Sequence, residues 1–297
     1  MTFKPIVVGI GELLWDVFPS GPRLGGAPLN FACSTSEIAG GSAQVYLVSA
    51  VGDDALGHQA RAVLNEHRVE AGQVQFDGRP TGRVVVEVDG SGIPSYHFDE
   101  NSAWDNLQWV PELHPLANAC NAVCFGTLGQ RSESSQAVIQ RFVAETPSEA
   151  WRVLDINLRP PYVREVVLRE SLELANVLKV NDEELPVLAK LDGLEGSQAD
   201  VMKQLASIHQ LSCVAVTRGS AGATILRGET FSSEPAPTVS VVDTVGAGDA
   251  FTAALTLGLL FDQPLEQINQ HAIQAAAYVC SVSGATTSFP KHLQVNR

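Results

Sequence analysis

The chain has 297 residues, of which 45% are hydrophobic and 18% are charged, and its formal net charge is −14. This composition is ordinary for a globular protein and argues against a disordered chain. The acidic balance disfavours nucleic acid and anionic lipid as partners, and the longest late apolar run, AALTLGLLF, is too short to span a bilayer. We therefore expect a protein that binds neither nucleic acid nor membrane.

The five cysteines are an odd number and form no CxxC pair. Buried free thiols are therefore expected, rather than a disulfide framework or a zinc site. Such thiols fit a reducing compartment. The N-terminal stretch MTFKPIVVGIGELLWD lacks the long apolar region and the cleavage signal of a secretory peptide, so we expect a cytoplasmic protein.

Short β-branched runs alternate with helix-like stretches along nearly the whole chain. The predicted strands are IVVGIG, QVYLVSAV, NAVCFG, RVLDIN, NVLKV, CVAVT and TVSVV, and the predicted helices span 28–40, 54–67, 132–145, 161–175, 181–208 and 246–282. Buried strands separated by amphipathic helices predict an α/β fold with a mostly parallel sheet covered on both faces. No linker divides the chain, so a single domain over residues 1–297 is expected.

Residues 73–109 depart from this alternation, because a strand, a turn and a second strand follow one another. Asp89–Gly90 is a typical hairpin turn. The alternation along VVVEVD leaves one face of the first strand polar. Such a hairpin is either a lid that keeps water away from a reactive phosphate or an edge hairpin without a further role.

The strongest motif is VVDTVGAGDAFTAALTLG, in which a predicted strand ends at Asp243 and a helix follows Gly246, Ala247 and Gly248. Backbone N–H groups at such a turn lie at the positive end of a helix dipole, where they bind anions such as a phosphoryl group. Asp249, in the first helical turn, could accept a proton from an attacking hydroxyl. Alternatively, Asp249 only offsets the helix dipole.

The string DTVGAGD closely resembles the C-terminal signature of the ribokinase-like (PfkB) carbohydrate kinases. This resemblance implies that Asp249 is the catalytic base and that Gly246, Ala247 and Gly248 form an anion hole, with Gly248 also contacting the nucleotide. ATP and Mg²⁺ are the implied cofactors.

The family resemblance also implies a ribokinase-like three-layer sandwich with a small β lid. In this chain the lid would be formed by about 12–26 and 73–109. An exposed lid sheet often pairs with a second copy in this family, so a homodimer is expected.

A second motif, LGGAPLNFA, contains Gly25 and Gly26, which permit close backbone approach, and Asn30, which offers a donor and an acceptor to a hydroxyl. By itself this segment is more typical of a turn followed by a helix start. Together with the preceding Asp16 it resembles the family's sugar site. The resemblance implies that Asp16, Gly25, Gly26 and Asn30 hold the sugar hydroxyls.

Two further motifs concern the nucleotide. Asn181 and Glu184 in KVNDEEL form an NxxE pattern, which the family uses near Mg²⁺ and the phosphates, with Glu184 acting through water. The same residues also fit an N-cap with acidic first-turn neighbours. Thr217, Gly219 and Gly222 in VTRGSAGA match the TxGxxG turn that borders the nucleotide in this family.

Three remaining segments supply further candidates. LDINLRP resembles the D-x-N-x-R strand end of fructokinase-like members, which implies that Asn157 and Arg159 face the phosphates and that Arg159 bridges sugar and ATP. The hairpin aromatics Tyr96 and Phe98 either contact the sugar or pack within the hairpin. Asp243 is implied to belong to a site for a monovalent cation such as K⁺.

The likeness extends over residues 5–290, and several segments are closer to bacterial fructokinases than to ribokinases. Ribokinases usually carry a Lys after the glycine pair, where this chain has Ala27–Pro28, and this departure weakens a ribose assignment. We therefore expect transfer of the γ-phosphoryl of ATP to a primary hydroxyl of a small sugar, with fructose as the first choice. 2-Keto-3-deoxygluconate, ribose and a nucleoside remain alternatives.

Two other classes of function are weaker. A dinucleotide-binding oxidoreductase needs GxGxxG after the first strand, and GIGELLWD breaks that pattern at its last glycine. A catalytically silent sugar-binding regulator on the same fold conflicts with the intact Asp249 and NxxE motif. The chain contains no GxxxxGK[ST] string, so a P-loop enzyme is excluded.

Overall fold

The computed structural model describes residues 4–18, 21–88 and 94–295, without the side chains of 86–88 and 94–96. The predicted turn at Asp89–Gly90 and the side chain of Tyr96 lie outside the described residues.

The described residues form thirteen strands and nine α-helices. The strands are β1 (Ile6–Ile10), β2 (Leu14–Phe18), β3 (Gly21–Gly25), β4 (Gln44–Gly52), β5 (Val74–Asp77), β6 (Gly82–Val88), β7 (Pro94–Phe98), β8 (Ala122–Phe125), β9 (Trp151–Asp155), β10 (Val177–Asn181), β11 (Cys213–Thr217), β12 (Ala223–Arg227) and β13 (Thr230–Glu234). The helices are α1 (Ala27–Ala39), α2 (Ala55–Glu66), α3 (Leu113–Ala119), α4 (Glu133–Ala144), α5 (Glu165–Leu174), α6 (Leu185–Asp192), α7 (Gln198–Ile208), α8 (Ala247–Leu260) and α9 (Leu265–Cys280).

Nine strands form the large sheet, in the order β13-β12-β11-β10-β9-β8-β1-β4-β5. The pairs from β11 to β5 are parallel, and β12 and β13 extend one edge in antiparallel fashion. Successive strand residues point to opposite faces of the sheet. Val7 therefore belongs to the core between the sheet and α1, α2, α8 and α9, whereas Val8 belongs to the core between the sheet and α3 to α7. The predicted mostly parallel sheet between two helical layers is confirmed.

A second, small sheet has four strands in the order β3-β2-β6-β7. Strand β2 pairs antiparallel with β3 and parallel with β6, and β6 pairs antiparallel with β7. Along β6, Val84 is 2% exposed and Val85 is 37% exposed, as the predicted alternation requires. The small sheet covers less of the chain than the segments 12–26 and 73–109 that were expected to form the lid, because β5 pairs with β4 in the large sheet and Leu107 packs in the core beneath α3 to α7.

The predicted strand TVSVV is wrong. Residues 235–246 form no strand, and Val241 and Val242 are 63% and 61% exposed. No neighbouring strand among the described residues pairs with this segment; the N–H groups of Val242 and Asp243 both donate to the carbonyl of Cys280 instead. β-Branched residues favour strands only where a sheet is present to receive them.

Two predicted helices are each divided in the structure. The stretch 181–208 contains α6 and α7: Gly193, with φ 65°, ends α6 as its C-cap, and Gly196, with φ 124°, lies in the linker before α7. The stretch 246–282 contains α8 and α9, and Pro264, which has no N–H to donate, occupies the N-cap of α9. Helix α3 was not predicted.

Candidate active site

A cleft of about 590 Å³ lies where the carboxyl ends of β9, β10 and β11 meet the N-termini of α1 and α8. Strands β2, β6 and β7 of the small sheet form its other wall through Asp16, Val84 and Phe98. Carboxyl ends of parallel strands are the usual place for a ligand in an α/β sheet. This cleft is therefore the candidate active site.

Most of the predicted site residues line this cleft, although they come from distant parts of the sequence. Those that line it are Asp16, Gly26, Asn30, Phe98, Asn157, Arg159, Asn181, Thr217, Gly246, Gly248 and Asp249. The predicted residues that do not line it are Gly25, Glu184, Gly219, Gly222, Asp243 and Ala247.

The N-terminus of α8 forms one end of the cleft. Its N-cap, Gly246, has φ 82°, and a Cβ there would lie 2.7 Å from the Cβ of Ala285, so glycine is required. First-turn N–H groups have no partner within a helix, and a glycine N-cap supplies no side-chain acceptor. The turn can therefore hold an anion through backbone donors.

Asp249 lies in the first turn of α8 and is 7% exposed. Its Oδ2 accepts a hydrogen bond of 2.8 Å from Nδ2 of Asn30. Burial raises the pKa of Asp249 to about 6 and the charge of Asp155 adds to this rise, while the Asn30 hydrogen bond, Lys179 and Arg159 oppose it. A carboxyl with this pKa is ionised at neutral pH and is still basic enough to take a proton.

Lys179, a residue that the sequence analysis missed, provides a buried positive charge beside this turn. Its Nζ donates to Oδ1 of Asp155 at 3.0 Å, and Oδ2 of Asp155 accepts from the Thr252 hydroxyl at 2.8 Å. Burial alone would lower the pKa of Lys179, but the carboxylates of Asp155, Glu184 and Asp249 together raise it. A lysine within the apolar run VLKV was the signal that could have revealed it.

Lys179 also lies directly against the first turn of α8. A Cβ added to Gly248 would be 3.2 Å from Nζ of Lys179. An ammonium group has three N–H donors, and the bond to Asp155 uses one of them. The remaining donors and the first-turn N–H groups of α8 can therefore bind the same anion.

Arg159 supplies a second cation. It lines the cleft after β9. Burial raises the pKa of Glu12, Asp16 and Asp249, and the charge of Arg159 opposes this rise in each of them. A planar guanidinium with several donors can pair with a phosphate while it faces carboxylates.

The end of the cleft near the small sheet is rich in oxygen acceptors. Burial raises the pKa of Asp16 to about 6, against the opposing charge of Arg159. Gly25 does not line the cleft, but a Cβ there would lie 2.7 Å from Oδ2 of Asp16, so it gives this carboxylate room. The Oδ1 atom of Asn30 is buried without a hydrogen-bond partner within the described chain.

Glu12 is a second site residue that the sequence analysis missed. It lines the cleft, is 4% exposed, and accepts a hydrogen bond of 3.2 Å from the N–H of Ala27 through Oε1. Its Oε2 is buried and has no hydrogen-bond partner among the described residues. Only its position beside Asp16 in GELLWD could have drawn attention to it.

The NxxE motif forms a closed network of its own. The Glu184 carboxylate accepts N–H groups from Leu158 and Asn181, each at 2.9 Å, and Oδ1 of Asn181 accepts from the N–H groups of Glu183 and Glu184. The local turn role weighed for these residues is therefore present. Both Glu184 oxygens are already engaged, which suits an outer contact to a metal through water better than a direct bond.

The described residues contain no group of three or more His, Cys, Asp or Glu side chains that could hold a metal ion. Mg²⁺ is often bound through one or two carboxylates, waters and substrate phosphates rather than in a protein cage. The residues present therefore fit Mg²⁺ only as an ion carried largely by nucleotide phosphates, near Glu184 and Asn181.

The glycines of the TxGxxG motif shape a turn. Thr217 lines the cleft at the end of β11, whereas Gly222 has φ 88° and a Cβ there would collide with the carbonyl oxygen of Glu234. Gly219 has φ 50°. The motif thus joins β11 to β12 closely enough to leave Thr217 at the cleft.

Asp243 lies in the loop just before α8. Its carboxylate accepts from the N–H of Val245 at 3.1 Å and of Gly284 at 3.3 Å, and it pairs with Arg23 of β3 at 3.2 Å. The predicted cation ligand thus already meets one guanidinium, and this ion pair joins the small sheet to the loop before α8.

The chain is similar to known proteins over nearly its whole length. The pfkB family carbohydrate kinase profile matches residues 21–292. A fructokinase of Salmonella typhimurium is 29% identical over 306 aligned residues, covering 97% of each protein. A sugar kinase of Pyrococcus horikoshii, solved in complex with ATP, is 26% identical with a TM-score of 0.81, over 97% of this chain and 96% of that one.

A fructokinase of Xylella fastidiosa with bound ATP superposes with a TM-score of 0.82 at 20% identity, over 97% of this chain and 96% of that one, and shows the shared fold. No helix among the described residues is long and apolar enough to cross a membrane.

Proposed function

The chain belongs to the pfkB family of carbohydrate kinases, and on this premise we propose that it transfers the γ-phosphoryl group of ATP to a primary hydroxyl of a small sugar. One observation carries the proposal. A single cleft holds a buried carboxylate, Asp249, beside a helix N-terminus and the two cations Lys179 and Arg159. A general base, an anion site and positive charge are what phosphoryl transfer to a hydroxyl needs.

In this mechanism the sugar hydroxyl lies against Asp249, which takes its proton as the oxygen attacks phosphorus. The first-turn N–H groups of α8, together with Lys179 and Arg159, hold the negative charge of the transferring group. Asn30 keeps one oxygen of Asp249 occupied, which leaves the other for the hydroxyl. Mg²⁺, when bound with ATP, would neutralise phosphate charge near Glu184.

Fructose is the sugar that we propose. The Salmonella fructokinase is similar over almost the whole chain. The part of the cleft proposed to hold the sugar carries the carboxyl groups of Glu12, Asp16 and Asp249, and the charge of Arg159 acts on all three. Such a surface favours a neutral, hydroxyl-rich sugar over 2-keto-3-deoxygluconate, whose own carboxylate it would repel. Ribose and nucleosides, which are neutral, remain the alternatives.

A coupled ADP-release assay with a panel of sugars tests both the proposed kinase activity and the choice of fructose as the sugar. We expect ATP-dependent turnover, highest with fructose, and a fall in kcat of at least about 10²-fold in Asp249→Asn with sugar binding retained. Turnover highest with another sugar would correct the substrate alone. Wild-type turnover in a folded Asp249→Asn protein would refute the mechanism.

Four further features belong to the same proposal. The small sheet is proposed to act as a lid over the cleft. It is also proposed to pair with a second copy of the chain, and sedimentation would test this dimer. A monovalent cation such as K⁺ at Asp243 would have to share that carboxylate with Arg23, and a KCl titration of turnover tests it. A cytoplasmic location is proposed because all five cysteines are free thiols.

A further inference from the structure

Glu12 lines the cleft, and its buried carboxyl lies between the first turn of α1 and the turn at Leu128–Gln130. A Cβ at Gly129 would lie 3.1 Å from Oε2 of Glu12, and one at Gly26 would lie 2.5 Å from its carbonyl oxygen. Gly129 therefore leaves space for the Glu12 carboxyl, and Gly26 lets the start of α1 approach the Glu12 backbone closely.

The Glu12 carboxyl secures the start of α1. The N-cap of this helix is Gly26, which has no side chain to cap it, and Pro28 follows within the first turn. The N–H of Ala27 instead donates to Oε1 of Glu12, which is close in space but 15 residues away in sequence. A negative charge at this position is also favoured by the helix dipole.

Helix α1 carries the effect to Asp249. Asn30 lies within the first turn that Glu12 secures, and its backbone N–H donates to the carbonyl of Gly26. Its Nδ2 donates to Oδ2 of Asp249 at 2.8 Å, and both of these side chains are buried. Two hydrogen bonds and one helical turn therefore connect Glu12 to the proposed base.

We propose that Glu12 is a positioning residue for proton transfer: it fixes the first turn of α1, and through Asn30 it orients the Asp249 carboxylate toward the sugar hydroxyl. The inference rests on the proposed kinase activity and deepens it. Glu12 acts through Asn30, without touching the transferring phosphoryl group.

The charges around Glu12 make its role visible in a pH profile. Burial raises the pKa of Glu12 to about 7, and the charge of Asp249 adds to the rise. The rise is opposed by hydrogen bonds from backbone N–H groups, including that of Ala27, and by the charge of Arg159. The neighbouring Cys124 has a raised pKa because it is buried, so it stays a neutral thiol. Asp249, faced by Asp155, Lys179 and Arg159, has a pKa of about 6 and loses its proton first.

Two substitutions separate the two properties of this carboxyl. Glu12→Gln keeps an oxygen that can accept the Ala27 N–H but carries no charge, whereas Glu12→Ala removes both. We expect Glu12→Ala to lower kcat about ten- to a hundredfold while the KM values for sugar and ATP change less than about twofold. We expect Glu12→Gln to retain most of kcat and to lose the upper of two steps, near pH 7, in the profile of kcat against pH.

Glu37→Gln is the matched control, because Glu37 is a buried acid near the C-terminal end of the same helix, where it pairs with His67. It is expected to lower stability without moving the pH profile. A folded Glu12→Ala protein with wild-type kcat, or one in which only KM changes, would overturn the proposal. If the wild-type protein phosphorylates no sugar, it is the proposed function that fails.

A double-variant cycle keeps the proposal testable even if Glu12→Ala does not fold. If Glu12 acts through Asn30, adding Glu12→Gln to Asn30→Ala leaves the pH profile of kcat the same as in Asn30→Ala alone. A step near pH 7 that is present in Asn30→Ala and is lost in the double variant would show that Glu12 does not act through Asn30 and would overturn the proposal.

Discussion

Replacement of Lys179 by Met tests the charge that the structure buries beside the α8 turn. The side chains of Lys179 and Asp155 are 7% and 4% exposed, and their ion pair measures 3.0 Å. In Lys179→Met, Oδ1 of Asp155 loses this partner, while Oδ2 keeps the hydroxyl of Thr252. A carboxylate is then left buried in a site that cannot solvate it.

The expected magnitude follows from the burial of both partners. Exposed ion pairs contribute less than about 1 kcal/mol because water screens them. Removal of one partner from a buried pair costs about 3 to 5 kcal/mol. Both side chains here are more than nine-tenths buried, so we expect Lys179→Met to lower the free energy of unfolding by about 3 to 5 kcal/mol. Turnover should fall as well, because a cation that faces the phosphate is lost.

Urea unfolding at neutral pH, followed by tryptophan fluorescence, measures this loss. Lys203→Met is the control, because Lys203 is exposed and its Nζ lies 5.6 Å from the ring centroid of Phe231. That control should change stability by less than about 0.5 kcal/mol. The double variant with Asp155→Asn should lose less than the sum of the single losses, because it leaves no unpaired charge. A loss below about 1 kcal/mol in Lys179→Met, or strict additivity, would refute the reasoning.

Three further predictions concern backbone space and pH. Gly222→Ala should destabilise the protein far more than Gly228→Ala, because its Cβ would collide with the Glu234 carbonyl while Gly228 faces open space; equal melting temperatures would contradict this. Because folding raises the pKa of Glu12 to about 7 from its ordinary 4.5, stability should fall as pH rises between these values, and Glu12→Gln should flatten the curve measured by urea unfolding. The kcat/KM should fall as pH drops through about 6, where Asp249 takes up a proton; a flat pH–rate profile there would contradict its role as base.

Much of the fold could be predicted from local patterns. Runs of β-branched residues such as IVVGIG and CVAVT predict buried strands. The string DTVGAGD predicts the start of α8, because its glycines permit the turn and the dipole of the helix that follows depends only on neighbouring residues. The errors have a common origin. TVSVV has strand-like composition but no neighbouring strand to pair with, and the two long predicted helices are interrupted by glycine or proline.

The residues of the candidate site also differ in whether local sequence patterns could reveal them. Asp249, Asn30 and Arg159 could be named because short motifs carry them. The roles of Glu12 and Lys179 depend on partners far away in sequence, such as Ala27 for the first and Asp155 for the second. No local stretch of sequence indicates that the members of either pair lie close together in the fold.

The amino-acid sequence by itself therefore determined the class of fold, the helix start that is proposed to bind an anion and the carboxylate beside it, because turn chemistry and residue periodicity act over a few neighbouring residues. Only the tertiary structure decided which charges are buried together, and so the raised pKa values of Glu12 and Asp249 and the pairing of Lys179. Burial and electrostatic coupling depend on distances across the folded chain, and these exist only once the sheet and its helices have packed.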